Sequence, residues 1–360
     1  MKKIDNNKKI IYLEFLRILC IVFVIYNHTG GNGFMMFAHR SPSNPMFWLY
    51  LFCSLFCKFA VPVFFMISGI LLFRKEYTIK EWVKKIIKFV IILVIVSTIY
   101  YANDIINNGV EFHLSVYVRK MLTCGFYTHF WYLYMYILLL LSGPFISKII
   151  KAFDKNLFNY LTIILFLEGL VPCMYYIVFK RQMTFNYMMS PIWYTNIIFI
   201  YPLMGYYLHN NFNPKKKYIL DLWILNIVSI LFSSLMTYYG YKVTGILSDE
   251  GSQMFHYSFV FINAICIFIT MKKLCENVDF TKHKVLTLIS KLGPYVFGIY
   301  LFHVIFKRIP LFVILMNYIK LHGFSGILTT FIICLYMFVC SFILTFILSQ
   351  IPFIKKLVGF

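Results

Sequence analysis

The chain has 360 residues, of which 61% are hydrophobic, 20% aromatic and only 13% charged, with a mean hydropathy of +0.77. A soluble domain carries charge on about a quarter of its residues, so a chain with half that cannot cover a core with polar surface, and an ordinary soluble fold is excluded. The net charge of +21 does not point to nucleic acid, because the basic residues cluster between apolar runs and the aromatic residues lie inside them, out of reach of any polymer.

At ~20 residues per crossing, the length admits roughly ten helical spans and little else. The apolar runs place them near residues 10–28, 46–73, 86–105, 130–150, 157–179, 192–208, 218–238, 255–271, 292–319 and 324–350. These runs are too long and unbroken for barrel strands. The expectation is an all-α, polytopic membrane helix bundle forming one domain over residues 1–360, with no soluble appendage. The first run follows a basic stretch as a secretory signal would, but it contains Glu14 and Arg17 and ends at Tyr26-Asn27-His28-Thr29-Gly30 without a small-x-small cleavage site, so it reads as an uncleaved span. In the ninth, Pro310 with Lys307 and Arg308 can divide the run into a short crossing and an interfacial piece.

Counting Lys and Arg by side orients the ten-span arrangement. With the N-terminus in the cytoplasm that side holds 23, the opposite side 9, and Arg17 and Lys58 fall within spans. The bias holds at each cytoplasmic loop in turn, which places both termini inside and the protein in the plasma membrane. The nine cysteines form no C-x-x-C pair and mostly sit in apolar runs, where a thiol packs as a small hydrophobe. Cys53 and Cys57, one helical turn apart, lack nearby His or acidic ligands, so no metal site is expected.

Charge inside lipid costs several kcal/mol, so the few intramembrane ionisable residues are read first as paired or functional. Span 1 carries Glu14, Arg17 and His28, span 2 Lys58 and span 5 Glu168. At ~100° per residue, Glu14 to Arg17 turns through about 300° and Arg17 to His28 through about 1100°, so all three project from one face, which must look inward. Glu14 and Arg17 can pair. His28 lies ~16 Å from Arg17, at the outer end. His129, opening span 4, and His303, late in span 9, fall at the same depth. Glu168, followed by Gly169 and Pro172, is a candidate for lining a local cavity, because a Pro within a span frees a backbone carbonyl; Lys58 can pair with it or snorkel.

Glu14-x-x-Arg17, ten further residues and His28 resemble the first-span signature of the acyltransferase-3 family, integral membrane enzymes that O-acylate cell-surface glycans. Other stretches resemble the family in the same order. Pro62-Val63-Phe64-Phe65-Met66-Ile67-Ser68-Gly69 looks like its Pro-x-Phe-Phe-x-x-Ser-Gly element, His129-Phe130-Trp131-Tyr132 like its fourth-span opening, and Tyr300-Leu301-Phe302-His303 like its late Tyr-Leu-x-His. Where the family has Arg-x-x-Arg after the second span, this chain has Lys85-Ile86-Ile87-Lys88, which keeps the charge but not the bidentate fork.

The resemblance implies transfer of an acyl group, most simply acetyl, from cytoplasmic acyl-CoA to a hydroxyl of a surface or lipid-linked polysaccharide. His28 is then the base, with Glu14 beside Arg17 as its companion in catalysis. Arg17, with Lys84, Lys85 and Lys88, holds the donor. His129, Trp131 and His303 then line the substrate path, and Glu168 is a lining candidate on the reading of its own span rather than of the resemblance. Acetyl-CoA is a donor substrate, and no permanently bound cofactor is expected. A different class of function, a glycan exporter without acyl transfer, also suits spans interrupted near Pro62, Pro172 and Gly298; no inverted repeat supports it.

Overall fold

A computed structural model describes residues 11–181, 196–213, 215–247, 258–276, 278 and 284–358, and every regular element among them is helical. In chain order these are α1 (Ile11–Asn27), α2 (Pro45–Phe56), α3 (Ala60–Phe73), α4 (Ile79–Asn108), α5 (Leu114–Leu122), α6 (Trp131–Ala152), α7 (Lys155–Phe179), α8 (Tyr201–Asn211), α9 (Lys216–Thr244), α10 (Val260–Glu276), α11 (Lys284–Ser290), α12 (Val296–Phe302), α13 (Pro310–Leu321), α14 (Gly326–Ser349) and α15 (Pro352–Val358).

Local chemistry sets several boundaries. Asn44 caps α2, its side chain accepting from the Met46 N–H, with Pro45 at the first turn. Thr78 and Glu81 form a reciprocal capping box at the start of α4, which ends at Gly109 with φ +63°. Asp154 and Ser325 accept from backbone N–H groups at the starts of α7 and α14.

Among the described residues six helices are long and apolar enough to cross a membrane: Pro45–Phe73, Ile79–Asn108, Trp131–Ala152, Lys155–Phe179, Lys216–Thr244 and Gly326–Ser349. Their outer faces carry Ile95, Ile163, Val228 and Phe331, all exposed. A surface of this kind is stable only against hydrocarbon, so the chain is a membrane protein.

The other four expected spans take different forms. Span 1 is α1, of 17 residues. Residues 192–195 lie outside the described part of span 6; its remainder is a π turn, Asn196–Ile200, running into α8. Residues 255–257 are likewise outside the described part of span 8, which continues as α10. Each residue from Val260 to Ile269 is buried, so this helix meets protein on all sides. Span 9 is divided at Pro310, as its sequence allows: after α11, residues 292–319 comprise a 3₁₀ turn Gly293–Tyr295, α12, a second 3₁₀ turn Ile305–Lys307 and most of α13. Pro310, without an N–H, starts α13, and Lys307 and Arg308 are tied to other elements, as described below.

The centre of the bundle is α1, which packs against α3, α10, α12 and α14. α3 and α8 pack closely along one another. A Cβ built at Gly69 would lie 2.1 Å from the Pro202 carbonyl oxygen, and one at Gly205 2.4 Å from that of Met66. Two glycines facing opposite ways therefore let the backbones touch, as small residues do in membrane bundles. Span 2 is interrupted by the 3₁₀ turn Cys57–Phe59, which presents Lys58 Nζ to Asn27 Oδ1 at 3.0 Å and over the Phe34 ring.

Candidate active site

The buried face of α1 carries Leu13, Glu14, Leu16, Cys20, Ile21, Val24 and Ile25. Arg17, Val24 and His28 continue this face into one wall of a cavity of about 240 Å³. Ser68 and four apolar residues of α3 face them, and Trp131, Tyr132 and Tyr136 of α6 with Phe89 of α4 form another side. Gly293, Pro294, Val296, Phe297 and Tyr300 close the third, and Val358 of α15 completes the lining. The middle is an aromatic sleeve: Tyr132 meets Tyr300 edge-on at 5.0 Å between ring centres, and Phe89 meets Tyr136 at 4.5 Å.

At one end, Arg17 Nη1 donates to both Glu14 carboxylate oxygens, at 3.3 and 3.4 Å. Glu14 is 8% exposed. The pair offsets the cost of two charges inside the bundle. Gly293 is essential to it, because a Cβ there would fall 1.7 Å from Glu14 Oε2.

At the other end three histidines from three separate elements converge. His28 follows the last residue of α1, His129 sits in the 3₁₀ turn Thr128–Phe130 before α6, and His303 follows α12. Ring centres are 4.9 Å apart for His28 and His303, 5.9 Å for His28 and His129, and 5.4 Å for His129 and His303. His129 is 2% exposed and His303 fully buried.

The hydrogen bonds fix two tautomers. His303 Nδ1 lies 2.7 Å from the Tyr300 carbonyl oxygen. A carbonyl only accepts, so His303 Nδ1 carries the hydrogen and Nε2 keeps a lone pair. His28 Nδ1 lies 2.8 Å from the Val24 carbonyl oxygen and 3.2 Å from His303 Nε2, both acceptors. The His28 Nδ1–H is thus shared between them, and its Nε2 is left with a lone pair. In this arrangement His303 stands behind His28 and orients it, as a carboxylate or carbonyl does for other catalytic histidines.

Lys307 Nζ donates to the His28 carbonyl oxygen at 2.7 Å, and the Tyr300 hydroxyl donates to that of His129 at 2.8 Å. Arg308 donates to the Tyr127 hydroxyl at 2.8 Å and pairs with Asp104 at 3.3 Å, which ties the turn after α12 to the end of α4 and to the approach to α6. The sequence singled out Lys307 and Arg308 only as residues that interrupt a span, and gave no signal for Tyr100, whose ring packs on His129 at 5.4 Å.

The remaining expected site residues divide. Trp131 and His129 line the cavity; His303 does not line it but supports His28. Glu168 is on α7, outside the lining. Lys84 is exposed in the second turn of α4. Lys85 Nζ lies 4.5 Å from the Tyr77 ring centre, and Lys88 Nζ donates to the Lys356 carbonyl oxygen at 3.3 Å. Phe89 and Val358, near neighbours of Lys88 and Lys356 in sequence, are both in the lining, so this basic junction of α4 and α15 borders the cavity.

A family model described as an acyltransferase domain, that of acyltransferase-3, matches residues 10–346. The chain belongs to the acyltransferase-3 family. No curated protein and no solved structure matches it. The acyltransferase-3 match begins just before α1 and ends three residues short of the end of α14. It therefore includes the three histidines, Glu14 and Arg17, and every residue lining the cavity except Val358.

Proposed function

We propose that this acyltransferase-3 protein is a membrane O-acyltransferase, moving an acetyl group from acetyl-CoA, taken from the cytoplasm, to a hydroxyl of a surface or lipid-linked glycan. The observation that carries the reading is the cavity, which has a guanidinium on its wall at one end and a properly tautomerised imidazole at the other. Eleven residues of straight helix separate the two by ~16 Å, a length comparable to an extended pantetheine arm. Arg17 and the lysines at the α4–α15 junction hold the phosphates of the donor, and the thioester reaches His28.

His28 Nε2 takes the proton of the acceptor hydroxyl as the oxygen attacks the thioester carbonyl. The C–O bond forms, the carbonyl pair moves onto oxygen, and collapse of the intermediate breaks the C–S bond. The imidazolium then returns its proton to the departing thiolate, so no proton is gained or lost. The apolar and aromatic sleeve keeps water from the thioester, which would otherwise be hydrolysed. The N- and C-termini face the cytoplasm, in keeping with the distribution of Lys and Arg.

The test is complementation of cells lacking the gene, with alkali-labile acetate on surface glycans as the readout. His28→Ala, expressed at the wild-type level, should abolish the acetate; full acetylation by this variant refutes the role of His28. Glycan transport without release of thiol from acetyl-CoA would mark an exporter instead.

A further inference from the structure

Acyl transfer through a tetrahedral intermediate needs a hydrogen-bond donor for the oxyanion as well as a base. Arg17, ~16 Å from His28 on a straight α1, cannot supply it at the same carbon. His129 has the attributes of such a donor. Among the described residues its Nε2 is buried without a hydrogen-bond partner, in a side chain that is 2% exposed and forms part of the cavity wall. A buried polar atom left unpaired costs ~1–3 kcal/mol, so its retention beside the base points to a ligand atom that pairs with it.

The ring is also held still. The Tyr300 hydroxyl binds the His129 carbonyl oxygen at 2.8 Å, and the rings of Phe130 and Tyr100 pack on it with centres 4.4 and 5.4 Å away. Preorganisation of this kind is what makes a donor effective against developing charge. The spacing fits as well. A base within ~2.6–3.2 Å of the attacking oxygen and a donor ~2.7–3.1 Å from the oxyanion, both oxygens on one carbon, can be supplied by two neighbouring rings, and those of His28 and His129 both line the cavity with centres 5.9 Å apart.

We propose that His129 is a catalytic residue that donates Nε2–H to the thioester oxygen as it becomes an oxyanion, opposite the base. This rests on the reading of His28 above. The electron pair that leaves the C=O bond is stabilised on oxygen by this hydrogen bond and returns to re-form the carbonyl as the C–S bond breaks; His129 itself neither gains nor loses a proton.

Amide replacements make the test specific. The side-chain nitrogen of Gln overlies imidazole Nε2, whereas that of Asn overlies Nδ1. Thiol release from acetyl-CoA is measured in native membrane vesicles, which carry the acceptor, with each variant normalised for the amount of folded chain. His129→Ala and His129→Asn should each lower kcat by about 10²–10³-fold with KM for acetyl-CoA within about threefold. His129→Gln should recover to within about tenfold of wild type. The proposal is overturned if His129→Ala keeps more than a tenth of kcat, if the loss lies in KM, or if Gln is no better than Asn. A fully active His28→Ala variant would instead remove the base and leave the His129 comparison to be read by itself.

Discussion

Gly293→Ala probes how the charged end of the cavity is built. An added Cβ would lie 1.7 Å from Glu14 Oε2, 2.7 Å from its Cδ and 3.1 Å from its Cβ, whereas ordinary contact begins at 3.4 Å. The carboxylate must retreat by as much again as the gap it now has. Its two contacts to Arg17, at 3.3 and 3.4 Å, are already long and do not survive such a displacement. Forcing Glu14 off its rotamer costs ~0.5–1.5 kcal/mol. Leaving Arg17 unpaired adds ~1–3 kcal/mol, towards the lower figure because its side chain keeps 28% exposure. The expected total is about 2 kcal/mol.

A double-mutant cycle isolates the cause. In a Glu14→Ala background the methyl group meets only the residue-14 Cβ at 3.1 Å, a contact relieved by a small shift, so Gly293→Ala should there cost less than about 1 kcal/mol. The coupling of about 1–2 kcal/mol is read from reversible unfolding in mixed micelles. Equal costs in the two backgrounds, within ~0.5 kcal/mol, would show that the glycine is not making room for the carboxylate.

Gly69→Ala places its methyl 2.1 Å from a backbone oxygen of Pro202, which cannot rotate away, so α3 and α8 should separate at a cost of about 1–3 kcal/mol; an unchanged unfolding midpoint contradicts the packing. A neutral imidazole base loses activity on protonation, so kcat/KM should fall on the acid side of the profile; a kcat/KM that rises as the pH is lowered rules out such a base. Raising ionic strength from 0.01 to 1 M shortens the screening length from about 30 to 3 Å. KM for acetyl-CoA should rise with it, and less steeply in Lys85→Gln/Lys88→Gln; a salt-independent KM removes these lysines from donor binding.

The inward face of the first helix was legible because a period of 3.6 needs only spacing, and Arg17 and His28 do share one wall of one cavity. That His129 and His303 lie at the same depth as His28 was also legible from their places near span ends. Their convergence was not. It depends on two 3₁₀ turns, Thr128–Phe130 and Ile305–Lys307, and on the ties made by Lys307 and Arg308, none of which leaves a periodic trace. Hydropathy does not tell which neighbours a helix has: α10, buried along Val260 to Ile269, gives the same apolar signal in the sequence as a lipid-facing span such as α14. Lys58 was expected to pair with Glu168 or snorkel; its bond to Asn27 depends on a turn inside an apolar run, where nothing in composition announces a break.

The distribution of polar groups along the cavity bears on how one chamber can serve an ionic donor and a reaction that water would spoil. Glu14 and Arg17 together are neutral, so the pair by itself offers a tetraanionic donor geometry but little net attraction. The uncompensated charge lies further out, on Lys85, Lys88 and the lysines of α15. That order suits a donor whose charged groups are all at one end: the phosphates remain at the hydrated, lysine-rich mouth, where screening by solvent is strong, and only the uncharged arm enters the aromatic sleeve. A fixed positive charge deeper in the cavity would raise the desolvation cost. Arg17 stands about three helical turns from the imidazole, but Lys307 does stand near it, its Nζ donating to the His28 carbonyl oxygen at 2.7 Å, so in the proposed reaction the transition-state imidazolium has to be accommodated beside that ammonium.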